Sequence, residues 1–175
     1  RSKKITKKNY KIRNSNNILI LLEALNDEIN ILINFGKVLA KLNKNLKIII
    51  KVHPLTNPDF IKNKINNYSN IDISVNQNIY KYSNFVIFRG STSILEAIQY
   101  GCIPIYFNNN SDLNVSPISM FVSKFFNINN NEDFKRHLSN HEKINYRNEL
   151  LNIYSKMRYY YEPLKINLIT KIMND

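Results

Sequence analysis

Two short segments hold residue types suited to handling a phosphate. The first is Lys51-Val52-His53-Pro54. Proline biases the preceding residue toward extended backbone and stops a strand, so the His53 imidazole is held at the rim of whatever element precedes it. There it can hydrogen-bond a phosphate or pass it a proton. A His-Pro turn that merely ends the strand fits the spacing equally well. The second segment is Arg89-Gly90-Ser91-Thr92-Ser93, followed by Glu96 and Ala97. Gly90 is one of only three glycines in the chain, which marks a tight turn there. Ser91, Thr92 and Ser93 at a helix start would combine hydroxyls with unpaired backbone N–H groups into an anion site. A plain serine cap explains one such hydroxyl residue better than three in succession. Glu96, one turn further on, can accept both hydroxyls of a ribose, or can simply sit favourably in the first turn of a helix.

These segments need a scaffold, and periodicity supplies one. Asn17 to Leu22 is a continuous apolar run of strand length, as a central parallel strand requires. Asp27 to Leu42 has Ile29, Ile31, Leu32, Phe35, Val38, Leu39 and Leu42 at helical spacing. Leu46 to Val52 reads as a strand, Pro58 to Tyr68 as a short helix and Ile71 to Val75 as a strand. Asn78 to Tyr82 reads as a helical turn, Asn84 to Phe88 as a strand, Ser91 to Tyr100 as a helix and Ile103 to Phe107 as a strand. Gly101 suits a left-handed helix end. The Asn-rich stretch 127 to 131 reads as a loop, Glu132 to Leu138 and Ile144 to Tyr161 as helices, with a last segment after Pro163. This alternation predicts an α/β chain with a Rossmann-like, doubly wound parallel sheet and C-terminal helices, over residues 16–175. In such sheets ligands bind at the carboxyl ends of the strands, where both segments fall. Asp112-Leu113-Asn114 with Pro117, just after the last of these strands, is placed to form a flap.

The 175 residues suffice for one domain with a core. The net charge of +12 is uneven: residues 1 to 13 carry +7 without an acid, the remainder +5. Residues 1–15 therefore read as a basic tail or linker, with contact to an anionic membrane surface as the next reading and nucleic acid below it. The first residue is Arg1, which suggests a piece of a longer protein. The longest apolar runs are strand-sized, and no secretory signal is visible. One cysteine, Cys102, precludes an internal disulfide, is compatible with a cytoplasmic location and reads as an inert core residue. His137 and His141 read as solvated surface residues. GxGxxG, GxxxxGK[ST] and GxSxG are all absent, which argues against a dinucleotide fold site, a P-loop and a hydrolase elbow. The sequence has no metal-ligand cluster, so neither metal nor cofactor is expected.

The order Val52-His53-Pro54, the strand Phe85 to Phe88, Gly90 to Ala97, then Gly101-Cys102-Ile103-Pro104-Ile105 resembles the C-terminal donor-binding domain of GT-B glycosyltransferases. The match covers roughly residues 17 to 107. The pairing of an HP motif with a Ser/Thr-rich turn is similar to bacterial sialyltransferases, capsule and surface-carbohydrate transferases and CDP-glycerol glycerophosphotransferases, which use cytidine nucleotides as leaving groups. The resemblance implies a nucleotide-sugar donor. It also implies a glycan or glycolipid acceptor held by a separate N-terminal domain; the expected location is cytoplasmic, with the basic tail able to bring the chain to the inner face of a membrane. By the same resemblance His53, with Pro54, contacts the nucleotide phosphate or assists its departure; Ser91, Thr92 and Ser93 hold the phosphate after Gly90; Glu96 binds the ribose; and Arg89 or Lys51 neutralises charge. Many retaining relatives carry a glutamate eight positions before Glu96. Here that residue is Phe88, so retaining chemistry of that kind is not expected. A non-hydrolysing nucleotide-sugar epimerase and a non-catalytic nucleotide- or RNA-binding module are the competing readings.

Overall fold

The computed structural model describes residues 17–108, 115–119, 126–139 and 146–161. Six strands form one all-parallel sheet in the order β3-β2-β1-β4-β5-β6. They are β1 (Asn17–Leu21), β2 (Lys47–Lys51), β3 (Ile71–Ser74), β4 (Phe85–Phe88), β5 (Ile103–Phe107) and β6 (Phe126–Ile128). Between and after them run α1 (Asn26–Leu42), α2 (Pro58–Ile65), a 3₁₀ turn (Gln77–Tyr82), α3 (Ser93–Gln99), α4 (Asn131–Ser139) and α5 (Tyr146–Tyr161). The expected doubly wound α/β architecture is therefore present. β1 and β4 are the innermost pair and read as unbroken apolar runs because helices cover both faces; Ile18, Leu19, Ile20, Val86, Ile87 and Phe88 are all buried.

Local chemistry explains most boundaries. Asn57 caps α2 by accepting a hydrogen bond from the Asp59 N–H at 2.9 Å, and Pro58 takes the first helical position. α3 ends in a Schellman motif: the Gly101 N–H donates to the Ile98 carbonyl at 2.9 Å and the Cys102 N–H to the Ala97 carbonyl at 3.1 Å. Gly101 has φ 81°, so the expected left-handed helix end is correct. Cys102 is buried as expected, its thiol donating to the Tyr80 carbonyl at 3.2 Å.

Three expectations need correction. The stretch 127 to 131 is not simply a loop: Phe126–Ile128 adds an edge strand to β5, and α4 begins at Asn131. In this three-residue edge strand Ile128 is buried, and its asparagine neighbours mask it in sequence. Val38 and Leu42 lie off the buried stripe of α1, being 39% and 51% exposed, because helical geometry aligns Ile29, Leu32, Ile33, Gly36, Leu39 and Ala40 instead. His137 is half-buried on α4 rather than solvated, and its burial holds its pKa below the usual histidine range. The expectations for residues 1–15, the 112–114 flap, His141 and the segment after Pro163 lie outside the described residues. Among those described, no helix is long and apolar enough to cross a membrane.

Gly36 lets α1 approach β1 closely: a Cβ there would meet Ile20 Cδ1 at 2.9 Å. Alanine gains about 1 kcal/mol of helix propensity. Overpacking against Ile20, which is fully buried, costs about 1–3 kcal/mol. Gly36→Ala is therefore expected to lower stability by about 1 kcal/mol net in urea unfolding. Ile20→Val, which removes the clashing methyl, should cost less in the Gly36→Ala background than in the wild type. A more stable Gly36→Ala would contradict this packing.

Candidate functional site

The strand order reverses between β1 and β4, so the connections leaving their carboxyl ends run to opposite sides of the sheet and leave a crevice. Both sequence segments reach its rim. Lys51 closes β2 in register with Leu21 of β1 and Ser74 of β3. Leu22 and Val52 prolong the ladder by one bond each: Leu22 N–H to the Lys51 carbonyl at 3.1 Å, and Val52 N–H to the Ser74 carbonyl at 3.2 Å. The chain then turns at His53-Pro54. The Thr56 N–H donates to the His53 carbonyl at 2.9 Å, and the Leu55 N–H donates to His53 Nδ1 at 3.2 Å. With Nδ1 serving as acceptor, the neutral imidazole has its proton on Nε2.

His53, Ser91 and Ser93 converge. A narrow recess is lined by Lys51, His53, Pro54, Ser91 and Ser93, with Leu21, Leu22 and Val52. It adjoins a cleft of about 300 Å³ that shares Lys51, Val52, His53 and Pro54 and extends to Thr56, Pro58 and Val75. That volume is at the low end for small-molecule sites. The Lys51 ammonium is 3.5 Å from Ser93 Oγ and 5.2 Å from the centroid of the Tyr80 ring. Burial pulls the Lys51 pKa below the usual lysine range, while the Glu96 carboxylate works in the opposite direction. Tyr80, fully buried, places its hydroxyl beside Ser93 and Glu96; burial first, then the Glu96 charge, raise its pKa well above the usual tyrosine value.

The remaining candidates are placed differently. Arg89 is 1% exposed and turned to the scaffold. Its guanidinium pairs through Nε with Glu28 and donates from a terminal nitrogen to the Phe107 carbonyl at 3.0 Å, tying β4 to α1 and β5. Its charge is answered within the fold, and it lines neither cavity. Thr92 is exposed and also lines neither. Glu96, half-buried, faces Lys51 and Tyr80. The helix starts at Ser93 rather than Ser91, because Ser91 and Thr92 wind a tighter entry turn in which Ile94 N–H donates to the Ser91 carbonyl at 3.2 Å and Leu95 N–H to the Thr92 carbonyl at 3.1 Å. The Thr92 side chain makes no capping hydrogen bond, so the plain cap does not account for this hydroxyl run. α3 has only seven residues, and an anion here would rely on side chains more than on a helix dipole.

Sequence reading overlooked two residues. Tyr80 sits in a 3₁₀ turn with no motif to mark it. Glu23 is the first charged residue after the apolar run of β1, a position that the switch-point rule could have flagged. Its Oε1 accepts the Gly90 N–H at 2.5 Å, and a Cβ on Gly90 would meet Oε2 at 2.6 Å. A Cβ on Gly90 would therefore displace this carboxylate, and the φ of Gly90 is not positive. Burial, chiefly, raises the Glu23 pKa; the Gly90 N–H opposes this, the Glu28 charge adds to it, and Arg89 and His53 oppose it.

Among the described residues no three His, Cys, Asp or Glu side chains gather to hold a metal. The arrangement offers an anion a cation, an imidazole N–H and two hydroxyls at the end of a rigid sheet. Comparison with family models, curated proteins and solved structures returns no match, so these residues themselves carry any assignment.

Proposed function

We propose that this chain is the donor-binding half of a GT-B-type glycosyltransferase. It takes a nucleotide-activated sugar, cytidine- or uridine-linked, for transfer to a surface polysaccharide or glycolipid. The single observation that carries the reading is the convergence of His53 with Ser91 and Ser93 around one recess, with Lys51 among them. Cleavage of the bond between sugar and phosphate leaves negative charge on the departing nucleotide. Preorganised donors at that position lower the barrier because they need no reorientation as the charge develops. In this reading His53 Nε2–H and the Lys51 ammonium donate to the phosphate and Ser91 and Ser93 add hydroxyl hydrogen bonds, so the charge left on the departing oxygen is held by donors with no proton transferred. The acceptor is held by a separate N-terminal domain, and the basic segment 1 to 13 serves as a tail or linker.

The test is calorimetric titration of the chain with CMP, CDP, UDP and GDP. Saturable binding of a cytidine or uridine nucleotide, competed by the others of that class, is expected; the absence of saturable binding by all four would overturn the reading. Glu96 has two roles to separate, a ribose contact and support of Lys51. With a ribose contact, Glu96→Gln weakens binding of the ribonucleotide by about tenfold and of its 2′-deoxy form by less than about twofold. Equal losses would assign Glu96 to Lys51 alone.

A further inference from the structure

We infer that Glu23 determines specificity in this cleft: its negative charge favours the singly charged, esterified phosphate of an intact activated donor over the doubly charged terminal phosphate of the spent nucleotide. The inference rests on the donor-binding reading and goes beyond it, since none of the groups proposed to hold the phosphate can make this distinction. Lys51, His53, Ser91 and Ser93 are all donors, and donors alone grip the more highly charged product harder. A site built only from them would retain its product.

The placement of Glu23 supplies the opposing charge. It follows Leu22, which lines the recess, and its carboxylate is bonded to the N–H of Gly90, which precedes Ser91 of the same recess. The carboxylate is therefore next to the recess on both strands that flank the switch point. The titratable and charged groups around it are Glu28 from α1, Arg89 from the end of β4 and the His53 imidazole from the end of β2. Arg89 is paired with Glu28, so these two charges largely cancel and Glu23 contributes net negative charge. It is held in place by the bond to Gly90, and the absent Cβ at that position gives it room. Across a partly solvated gap, this carboxylate disfavours one extra unit of phosphate charge about fivefold, before the attraction of Lys51 is counted.

The experiment compares CMP and UDP with their terminal-phosphate methyl esters at pH 8, where the free monoesters are doubly charged, by calorimetry on wild type, Glu23→Gln and Glu23→Asp. The ratio of ester affinity to parent affinity is expected to be about fivefold higher in wild type than in Glu23→Gln. Glu23→Gln should bind both ligands more tightly than wild type does, the parent gaining about fivefold more than the ester, and Glu23→Asp should keep the wild-type ratio. Should Glu23→Gln fail to fold, Glu23→Ser, which also removes the charge, carries the same comparison. An ester-to-parent affinity ratio that is the same in wild type and Glu23→Gln, or higher in Glu23→Gln, would overturn the inference while leaving donor binding intact. If no ligand binds, the donor-binding reading fails and this inference falls with it.

Discussion

Replacing His53 by alanine is expected to weaken pyrimidine-nucleotide binding by about 10- to 100-fold, with folding stability changed by no more than about 1 kcal/mol. A hydrogen bond to a charged phosphate contributes about 1.5–3 kcal/mol. The bond that Nδ1 accepts from the Leu55 N–H lies at an exposed turn, where water replaces it cheaply. His53→Asn separates the two roles. Its side-chain oxygen can still accept from Leu55, as asparagine does in such turns, but it has no donor at the Nε2 position. Nucleotide titration of both variants should show Asn failing like Ala. An asparagine variant with wild-type affinity would make His53 a turn residue only.

The second large effect concerns Arg89 and is one of stability. The guanidinium is buried, pairs with Glu28 and donates to the Phe107 carbonyl, so Arg89→Met leaves a carboxylate and a carbonyl without their donor. Removing one partner of a buried pair costs about 3–5 kcal/mol. Glu28 keeps 18% of its side chain exposed, which places the expected loss at the lower end, about 3 kcal/mol. Urea unfolding measures it, and Glu28→Gln in the same background should restore part of the loss. A stable Arg89→Met protein that has lost nucleotide binding would instead place Arg89 on the ligand.

The sequence displayed the scaffold more clearly than the site. β1, β2, β4 and β5 are legible because a parallel strand covered on both faces must be apolar throughout, which leaves runs such as Phe85–Phe88 and Ile103–Phe107. β6 escaped notice because three residues at an edge impose almost no pattern. For the site, strand order decides. The Lys51 to Pro54 and Ser91 to Ser93 segments are separated by about forty positions in sequence, and only the crossover that puts β4 next to β1 brings them to one recess. Arg89 shows the limit of motif reading. An arginine beside a glycine-serine turn has the right chemistry for a phosphate, but its direction depends on Glu28, sixty-one residues earlier. Glu23 went unread because a lone carboxylate after a strand has no spacing signature; the partner that gives it meaning is the backbone of Gly90.

Amide-resolved NMR of the chain titrated with CMP and UDP tests the central claim most directly. The account predicts saturable shifts concentrated at Lys51 to Leu55 and Gly90 to Glu96, with the far end of the sheet, around Asn67 to Asn70, unchanged. Shifts confined to the basic residues 1 to 13, or centred on one segment without the other, would contradict it.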